Sequence, residues 1–296
     1  SGAAYMFTGL GVATVTTPTS ASITGTSATL GGNVTSDGGA TITATGIVYA
    51  VTATNNNPVI GGTGVTNVVG SGTSGVFTVS ASSLTANTAY TYAAYATTSA
   101  GTTYSSTGTF TTLPLPPAIT NGPLTASGTF GSAITTYTIT GSNTPTSYSA
   151  TGLPAGLSLD SATGAITGTP TTTIGSPFSV TIGATNTGGT GTATLVLTVA
   201  KATPTISVAP TASGITYGQT LASSTLSSGT ASTAGAFTFT TTSTAPAIGT
   251  AAQGVTFTPS DTTNYNTATT TVNVTVAKAT PTISVAPTAS GITYGQ

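Results

Sequence analysis

The stretch Thr198–Gln219 reads TVAKATPTISVAPTASGITYGQ and returns letter for letter at Thr275–Gln296. The lysines inside the two copies, Lys201 and Lys278, give a period of 278 − 201 = 77 residues. A fixed period of this size is typical of proteins built from repeated structural units, and it fits one small β-domain. We therefore expect a tandem array, and we interpret this sequence as a fragment of a longer run of repeats.

The residues just before the second copy indicate the type of secondary structure. Thr271–Val276 reads TVNVTV, an alternation of polar and apolar residues that predicts a half-buried strand. The whole chain is 37% hydrophobic, with 38 glycines and 16 prolines, and its polarity comes mostly from Thr, Ser and Asn. Thr and Val favour strands, while Gly, Asn and Pro mark turns. This composition predicts an all-β protein.

Charged side chains are almost missing, which excludes several classes of function. Only 2% of residues are charged and the net charge is −1, whereas a typical soluble domain is about 25% charged. Two lysines cannot neutralise a run of phosphates, so no nucleic-acid partner is expected. The chain has no His and no Cys, and its three acids lie far apart, so we expect no metal site and no cofactor. A serine nucleophile without His lacks its usual base, so we expect no catalytic residue and no enzyme activity.

Proline-rich stretches and the repeat divide the chain. Residues 113–117 read LPLPP, where proline removes strand hydrogen-bond donors and favours an extended linker. Val199–Pro204 reads as a last strand that passes directly into the next domain. Short linkers stiffened by proline give semi-rigid rods. No run of about 18 apolar residues occurs, so no membrane span is expected in this fragment.

The first domain resembles the fibronectin type III family. Its motif is the segment 84–96, LTANTAYTYAAYA, in which Leu84, Thr88 and Tyr90 match the family pattern and Ala86 replaces its proline. The resemblance implies a β-sandwich in which Tyr90 forms a corner that fixes a loop to the next strand. Alternation predicts that Ile42, Ala44, Gly46 and Val48 share one face of a strand. Phe77 and Val79 are expected to face away from Val76 and Thr78.

The second domain carries residues 152–170, GLPAGLSLDSATGAITGTP. This motif resembles the signature of the "putative Ig domain" of bacterial surface proteins and haemolysin-type exoproteins. Asp160 is expected to cap a turn by accepting backbone N–H bonds, and Gly164 is expected to take the positive φ that closes it. Leu157, Leu159 and Ile166 would then be core positions of a hairpin.

The third domain resembles the MBG-type Ig-like repeats of large bacterial surface proteins. The residues behind this resemblance are Tyr217-Gly218-Gln219 and Asp261–Tyr265, which reads DTTNY. The expected division of the chain is as follows: a tail of a preceding segment or a terminal strand (1–17), a fibronectin type III-like sandwich (18–113), a "putative Ig"-like sandwich (114–199), an MBG-type Ig-like repeat (200–277) and the first strand of a further repeat (278–296). The predicted fold class is therefore all-β, with tandem immunoglobulin-like β-sandwich domains in an extended array.

The five charged residues have ordinary structural interpretations. Asp37, Asp160 and Asp261 all occur in turn sequences, and we expect them to cap turns rather than to catalyse a reaction. Lys201 and Lys278 occupy equivalent positions in the repeat, where we expect solvated lysines at domain junctions. An isopeptide crosslink from such a lysine is the alternative, although no Glu is available to assist it.

Tyrosines and sequons give the candidate sites for binding and modification. Tyr90 and Tyr92 share one strand face and are expected in the core, whereas Tyr95 points to the other face and is the surface candidate for sugar binding. Asn33 and Asn273 each begin an N-glycosylation sequon.

We expect a structural component of an extracellular bacterial-type filament, sheath or stalk. Bare sheet edges recruit other chains, and this sequence has few charges with which to guard them, so other copies of itself are the expected partners. Contact could be lateral or end to end, and the segments 1–17 and 278–296 could complete a neighbour's sandwich by strand complementation. The alternative is an adhesin whose modules bind a glycan or a partner protein. A cross-β fibre is disfavoured by the Gly- and Pro-rich turns.

Overall fold

The structure, a computed structural model, describes residues 9–291, 294 and 295. Over these residues the regular secondary structure is β-strand, apart from a short 3-10 helix at Leu221–Ser223. The strands form sheets around hydrophobic cores in three successive parts of the described chain. The molecule is therefore a series of tandem immunoglobulin-like β-sandwiches, which confirms the predicted fold class.

The first sandwich contains the strands β1 (Thr14–Ala21), β2 (Ala28–Ser36), β3 (Ile42–Val51), β4 (Thr66–Val69), β5 (Gly75–Ala81), β6 (Ala89–Thr98), β7 (Gly101–Tyr104) and β8 (Gly108–Thr111). One sheet has the order β1-β2-β5, and the other has the order β4-β3-β6-β7 with β8 also paired to β6. Because β1 begins at Thr14, residues 14–17 belong to this sandwich and not to a segment before it. Of the rest of this expected segment, residues 9–13 are described and form no strand, and residues 1–8 lie outside the described residues.

Aromatic side chains fill the core of the first sandwich, as expected for β6. Tyr90 stacks on Phe110 with 5.4 Å between ring centroids, and Tyr92 meets the same ring edge-on at 5.8 Å. Phe77 is buried between the sheets whereas Val76 faces solvent, as the alternation predicts.

The predicted face of β3 is wrong at its start. The pairing of β3 with β6 shifts register between Ile42 and Ala44, so the strand carries an irregularity of the bulge type. Ile42 therefore packs in the main core with Ile47, while Ala44 and Val48 pack on the opposite side of the sheet. Simple alternation missed this because a bulge moves the residues that follow it to the other face.

Tyr90 forms the predicted corner. Its hydroxyl accepts a hydrogen bond of 2.9 Å from the backbone N–H of Thr85, five residues upstream. The family proline is not needed for this contact: Asn87, which follows Ala86, turns the chain with a φ of 51°.

The second sandwich contains the strands β9 (Thr125–Thr129), β10 (Tyr137–Thr138), β11 (Ser147–Thr151), β12 (Leu157–Leu159), β13 (Ala165–Gly168), β14 (Phe178–Asn186) and β15 (Gly189–Ala200). Its sheets have the orders β10-β13-β12 and β11-β14-β15-β9. The predicted hairpin is present as β12 and β13, with Ile166 fully buried and Leu157 and Leu159 half-buried against the core. β9 runs parallel to the end of β15, from the pair Val196–Thr125 to the pair Ala200–Thr129.

The third sandwich contains the strands β16 (Ile206–Val208), β17 (Thr211–Ala212), β18 (Ile215–Thr216), β19 (Leu226–Ser227), β20 (Thr230–Ala231), β21 (Gly235–Phe239), β22 (Gly249–Pro259) and β23 (Ala268–Ala277). The main sheet has the order β18-β23-β22-β21, and two short pairs, β16–β20 and β17–β19, complete the set. The TVNVTV segment lies in β23, where Val272, Val274 and Val276 are buried and the residues between them are exposed, as predicted.

The repeated sequence has two different structures. In the first copy it forms β16, β17 and β18, which pair with β20, β19 and β23 respectively. In the second copy, residues 278–291, 294 and 295 contain no strand and are exposed to solvent. The expected strand is therefore not formed in the described part of this segment. The same sequence therefore forms strands in the first copy, where partner strands are present, and forms none in the described part of residues 278–295.

We expect Tyr90→Phe to destabilise the first sandwich by about 1 kcal/mol, because the Thr85 N–H loses its acceptor while the ring packing stays. Hydrogen exchange measured by mass spectrometry on peptides from β2 and β6 would report the change. Tyr217→Phe, an exposed hydroxyl deletion in the third sandwich, serves as the control. Equal exchange in the two variants would contradict the role of the corner.

Candidate functional site

Asp37 and Asp160 act within turns, as predicted. Asp37 Oδ1 accepts the N–H of Gly39 at 2.8 Å. Asp160 Oδ1 accepts the N–H of Ala162 at 2.9 Å, and this backbone hydrogen bond is the main reason why the pKa of Asp160 is lowered. Gly164 takes a φ of 75° and its N–H donates to the Asp160 carbonyl at 2.8 Å, which closes the turn. These carboxylates are engaged with backbone and are not brought together.

Tyr95, the surface candidate for sugar binding, is buried, and that prediction is wrong. Only 1% of its surface is exposed, because Val48, Val65 and Tyr104 pack around it in a small core on the outer side of the sheet. The loop between β3 and β4 covers this side, and the backbone N–H of Ile60 donates to the Tyr104 hydroxyl at 3.1 Å. The first sandwich therefore presents no Tyr95 platform to a sugar.

The polar cluster that the structure does bring together lies at the joint between the second and third sandwiches. The linker after β15 rests against residues 261–266, the loop between β22 and β23. The N–H of Ala202 donates to the carbonyl of Asn264 at 2.9 Å, and the carbonyl of Ala202 accepts from the N–H of Asn266 at 2.8 Å. Both backbone groups of Ala202 are thus bound, so the linker is fixed at its centre.

Asn264 also connects the loop to the second sandwich. Its Oδ1 accepts the backbone N–H of Thr173 at 2.9 Å and lies 3.1 Å from the Thr173 hydroxyl. The same hydroxyl donates to the carbonyl of Thr263 at 2.8 Å. One threonine of the second sandwich therefore makes three polar contacts with the loop of the third.

An aromatic pair forms a second contact across the joint. The rings of Phe130 and Tyr265 meet edge to face, with centroids 5.2 Å apart and planes at 76°. Phe130 directly follows β9, and its N–H donates to the carbonyl of Ala200 at 2.9 Å, so it lies beside the point where the chain leaves the second sandwich. Edge-to-face pairs of this kind stabilise by about 0.5–1.5 kcal/mol beyond area burial.

Asp261 organises the loop. Its side chain accepts the Nδ2–H of Asn264 at 2.8 Å and the N–H of Asn264 at 3.1 Å. The side-chain bond from Asn264 is the largest cause of the lowered pKa of Asp261, and the nearby Lys201 lowers it further. Lys201 itself is exposed and donates from Nζ to the carbonyl of Thr262 at 2.6 Å. An exposed lysine bound to a backbone carbonyl fits the junction role and does not fit the buried site that an isopeptide crosslink needs.

The linker between the first and second sandwiches is held in a similar way. Nδ2 of Asn186 donates to the carbonyls of Leu115 at 2.9 Å and Asn143 at 2.7 Å. Nδ2 of Asn143 donates to the carbonyl of Pro116 at 2.9 Å. The linker carbonyls of Leu115 and Pro116 thus receive hydrogen bonds from asparagine amides of the second sandwich.

Sequence reasoning predicted Lys201 at a domain junction and Asp261 in a turn, but it did not predict that the two lie together. It gave no role at the joint to Phe130, Thr173 or Asn264. Thr173 and Asn264 are 91 positions apart, and each is one polar residue among many. A signal was available for Phe130, since Phe130-Gly131 and Tyr217-Gly218 are both aromatic-glycine pairs near the start of a domain.

The remaining features considered are the two glycosylation sequons, metal-ligating clusters and membrane-spanning helices. Asn33 and Asn273, which begin the two sequons, lie within β2 and β23 rather than in loops. The described residues contain no cluster of three or more side chains of the metal-ligating acidic, His or Cys types. The part of the chain described by the structure also contains no helix that is long and apolar enough to cross a membrane.

The comparison with protein families gives a match to the second sandwich. Residues 116–200 match the family described as "Putative Ig domain". This agrees with the resemblance noted at residues 152–170, and domains of this family are typical of extracellular proteins. No curated protein matches the chain.

Solved structures give similarities of fold. The titin I-band fragment I67-I69 is 14% identical, with 89% of this chain and 99% of that chain covered and a TM-score of 0.47. Sidekick-1 immunoglobulin domains 1-5 are also 14% identical, with 92% and 61% covered and a TM-score of 0.37. A Bacteroides fragilis protein described as a "putative alpha-galactosidase/melibiase" is 26% identical over 36% of this chain. This chain spans 22% of that protein, at a TM-score of 0.27, and no activity is carried over from it.

We expect trypsin to cut after Lys278 on the order of tenfold faster than after Lys201. The two sites have the same flanking sequence, TVAKATPTISV, so the rates differ only through structure. Both backbone groups of Ala202 are bound, whereas the chain after Lys278 is exposed without a strand, and proteases act on locally open chain. Time courses analysed by intact-protein mass spectrometry would measure both rates in one sample.

Asn264→Ala should raise the rate after Lys201 several-fold and leave the rate after Lys278 unchanged. Asn273→Ala, which removes an exposed asparagine from the same sandwich, is the matched control. Equal rates at the two lysines in the unaltered chain would show that the linker is not held.

We expect the free energy of unfolding to be flat between about pH 5 and pH 9. The folded pKa values of Asp160 and Asp261 are lowered, so their contribution is complete above the unfolded value of about 4 and is lost as the pH falls through the folded values. Burial raises the folded pKa values of Tyr49 and Tyr137, so their contribution is lost as the pH rises above about 10. Thermal melts by circular dichroism would contradict this if they shifted strongly between pH 5 and pH 9.

Proposed function

We propose that this chain is a structural component of an extracellular filament, sheath or stalk, in which immunoglobulin-like sandwiches are joined by fixed linkers. The observation that carries the proposal is the joint built from Phe130, Thr173, Asn264 and Tyr265. A loose tether between domains needs no such contacts, whereas a module that must hold its orientation to the next one does. The asparagine bonds to Leu115 and Pro116 also hold the preceding linker against the second sandwich.

The extracellular location is supported by the match of residues 116–200 to a family typical of extracellular proteins. The low charge also fits a protein that works as part of an assembly. A free soluble monomer depends on net charge to remain dispersed, and a net charge of −1 on 296 residues provides little repulsion.

End-to-end contact is a better mode of assembly than strand complementation. The segment 278–296 has the sequence of residues 201–219 and could in principle replace them in another copy. Those residues already form β16–β18 of their own sandwich, to which they are covalently tethered. A tethered segment competes at an effective concentration of about millimolar, which a strand from another copy does not reach at ordinary concentrations.

The adhesin alternative has less support. A site for a glycan needs exposed aromatic or convergent polar groups on one domain. In the first sandwich, Tyr90, Tyr92 and Tyr95 are all buried in the two cores. The tyrosines therefore support stability of the sandwich rather than recognition.

The stiffness of the joint can be tested on the full chain with two spin labels. The sequence has no cysteine, so Thr192→Cys in the second sandwich and Ser243→Cys in the third give unique exposed labelling sites. We expect a narrow distance distribution that broadens when Phe130→Ala and Thr173→Ala are introduced together. Thr194→Ala, an exposed change on β15 away from the joint, should leave it narrow. A broad distribution in the unaltered joint would overturn the proposal of a fixed linker.

Electron cryo-microscopy of native material sheared from the cell surface tests the larger assembly. A helical or layered lattice with contacts spread over all the sandwiches is the expected result. Isolated flexible strings that end in a separate binding domain would instead support the adhesin alternative.

A further inference from the structure

We infer that the face of the third sandwich around Tyr217 and Gly218 is a docking surface for a second copy of the same sandwich. The occupant is the loop equivalent to residues 261–266 of that second copy, placed in series after Lys278. This inference deepens the proposed function, on which it rests, because it assigns the residues of a joint that the repeat would use again.

The first step is that Tyr217 and Phe130 occupy the same place in their sandwiches. Phe130 follows a strand that runs parallel to the end of β15, and its N–H donates to Ala200 at 2.9 Å. Tyr217 follows β18, which runs parallel to the end of β23, and its N–H donates to Ala277 at 2.9 Å. Ala200 and Ala277 are equivalent residues of the 77-residue repeat.

The second step is that the turns around the two aromatic residues are the same. In the second sandwich the N–H of Ser132 donates to the carbonyl of Thr129 at 3.1 Å, with Gly131 at a φ of 71°. In the third sandwich the N–H of Gln219 donates to the carbonyl of Thr216 at 3.0 Å, with Gly218 at a φ of 91°. Glycine takes these angles without strain, so both turns begin in the same way after the early strand and place the aromatic residue beside the exit strand.

The third step is that the two rings differ in what covers them. Phe130 is half-buried, since it packs against Tyr265 of the following sandwich. Tyr217 has 58% of its surface exposed. Tyr217 thus follows the same turn and lies beside the same linker sequence as Phe130, but its ring is exposed. It is therefore accessible to a ring equivalent to Tyr265.

The fourth step is that the linker side of the joint is also repeated. The residues that follow β15, Lys201-Ala202-Thr203, recur after β23 as Lys278-Ala279-Thr280. In the first copy this linker binds the loop 261–266 of its own sandwich through Ala202 and Lys201. A second copy would bring its own loop to Lys278 and Ala279 by the same bonds, and the loop would then lie next to Tyr217.

The fifth step is that the segment before the last hairpin supplies polar groups near the aromatic residue in both sandwiches. In the second sandwich the segment that carries Thr173 precedes β14, and the N–H of Gly131 donates to the carbonyl of Pro170 at 3.0 Å. In the third sandwich the exposed residues Thr242 and Thr244 precede β22, and the N–H of Leu221 donates to the carbonyl of Thr244 at 2.8 Å. Hydroxyls are thus available where Thr173 binds Asn264 in the first joint.

The test uses the full chain with a second copy of residues 220–277 appended after Gln296. Residues 278–296 repeat residues 201–219, so this addition completes a second sandwich of identical sequence. Lys278 then lies in a linker like that of Lys201, and trypsin cleavage after Lys278 should become slow. Tyr217→Ala in the extended chain should raise that cleavage rate about fivefold, the effect of losing one aromatic pair.

Three controls separate the possible results. Tyr217→Ala in the chain without the addition should not change the rate after Lys278, because the ring has no partner there. Tyr217→Phe in the extended chain should retain the slow rate. Phe130→Ala calibrates the assay, since it removes the aromatic pair that the structure contains and should speed cleavage after Lys201.

A several-fold effect of Tyr217→Ala seen only in the extended chain supports the docking surface. If Phe130→Ala speeds cleavage after Lys201 while Tyr217→Ala changes nothing after Lys278, the docking surface is wrong and the fixed joint of the proposed function stands. If neither variant has an effect, the aromatic contact does not hold the linker and both ideas fail.

Discussion

The parallel pairing of an early strand with the last strand is the constraint on which the joint after the second sandwich depends. In the second sandwich β9 lies beside the end of β15, and in the third β18 lies beside the end of β23. Parallel strands run in the same direction, so their C-terminal ends lie at the same end of the sheet. The turn after the early strand therefore lies next to the point where the chain leaves the last strand. That geometry places Phe130 beside the residues that lead to the third sandwich, and it places Tyr217 beside the residues that follow β23. The position of this joint is thus decided inside the second sandwich, and the third sandwich has the same strand geometry.

The joint between the second and third sandwiches is held mainly by uncharged groups. The joint uses an asparagine amide, a threonine hydroxyl, backbone groups and an aromatic pair, and the charged Asp261 and Lys201 bind mainly to the loop itself. Hydrogen bonds of this kind need close and directed contact to contribute. They therefore fix orientation more strictly than a pair of long, solvated ionic side chains would. Threonine pairs across strands, such as Thr185 with Thr190 at 2.7 Å, extend the same chemistry to the exposed sheet faces.

Local features were predictable from sequence because the residues that make them are close in the chain. The turn at Asp160, the corner at Tyr90 and the alternation in β23 each depend on a few neighbouring positions. Two kinds of feature were not predictable. The bulge in β3 shifts Ile42 relative to Val48 through pairing with a distant strand, and Tyr95 is buried by a loop that alternation cannot foresee.

The candidate site was predicted only in its outline. The repeat indicated a short junction at Lys201, and the turn sequence indicated a capped loop at Asp261. Nothing in the letters near Thr173 distinguishes it from the many other threonines, because its role comes from a contact with Asn264 in another sandwich. The fold decides which residues that are distant in the chain come into contact. In a sequence made largely of Thr, Ser, Asn and Gly, such contact residues are harder to recognise than in a sequence of varied composition.

The same parallel pairing also decides how a pulling force would act on each sandwich. In the second sandwich the chain enters through β9 and leaves through β15, which are paired over the five positions from Thr125 to Thr129. A pull on the two ends slides these parallel strands past each other and loads their hydrogen bonds together, whereas a pull on a hairpin opens its bonds one at a time. In the third sandwich the equivalent pairing covers only Ile215 and Thr216. For a stalk under tension, the third sandwich therefore has fewer bonds in this geometry than the second, and contact of Tyr217 with a following sandwich would add support where its strand pairing is shortest.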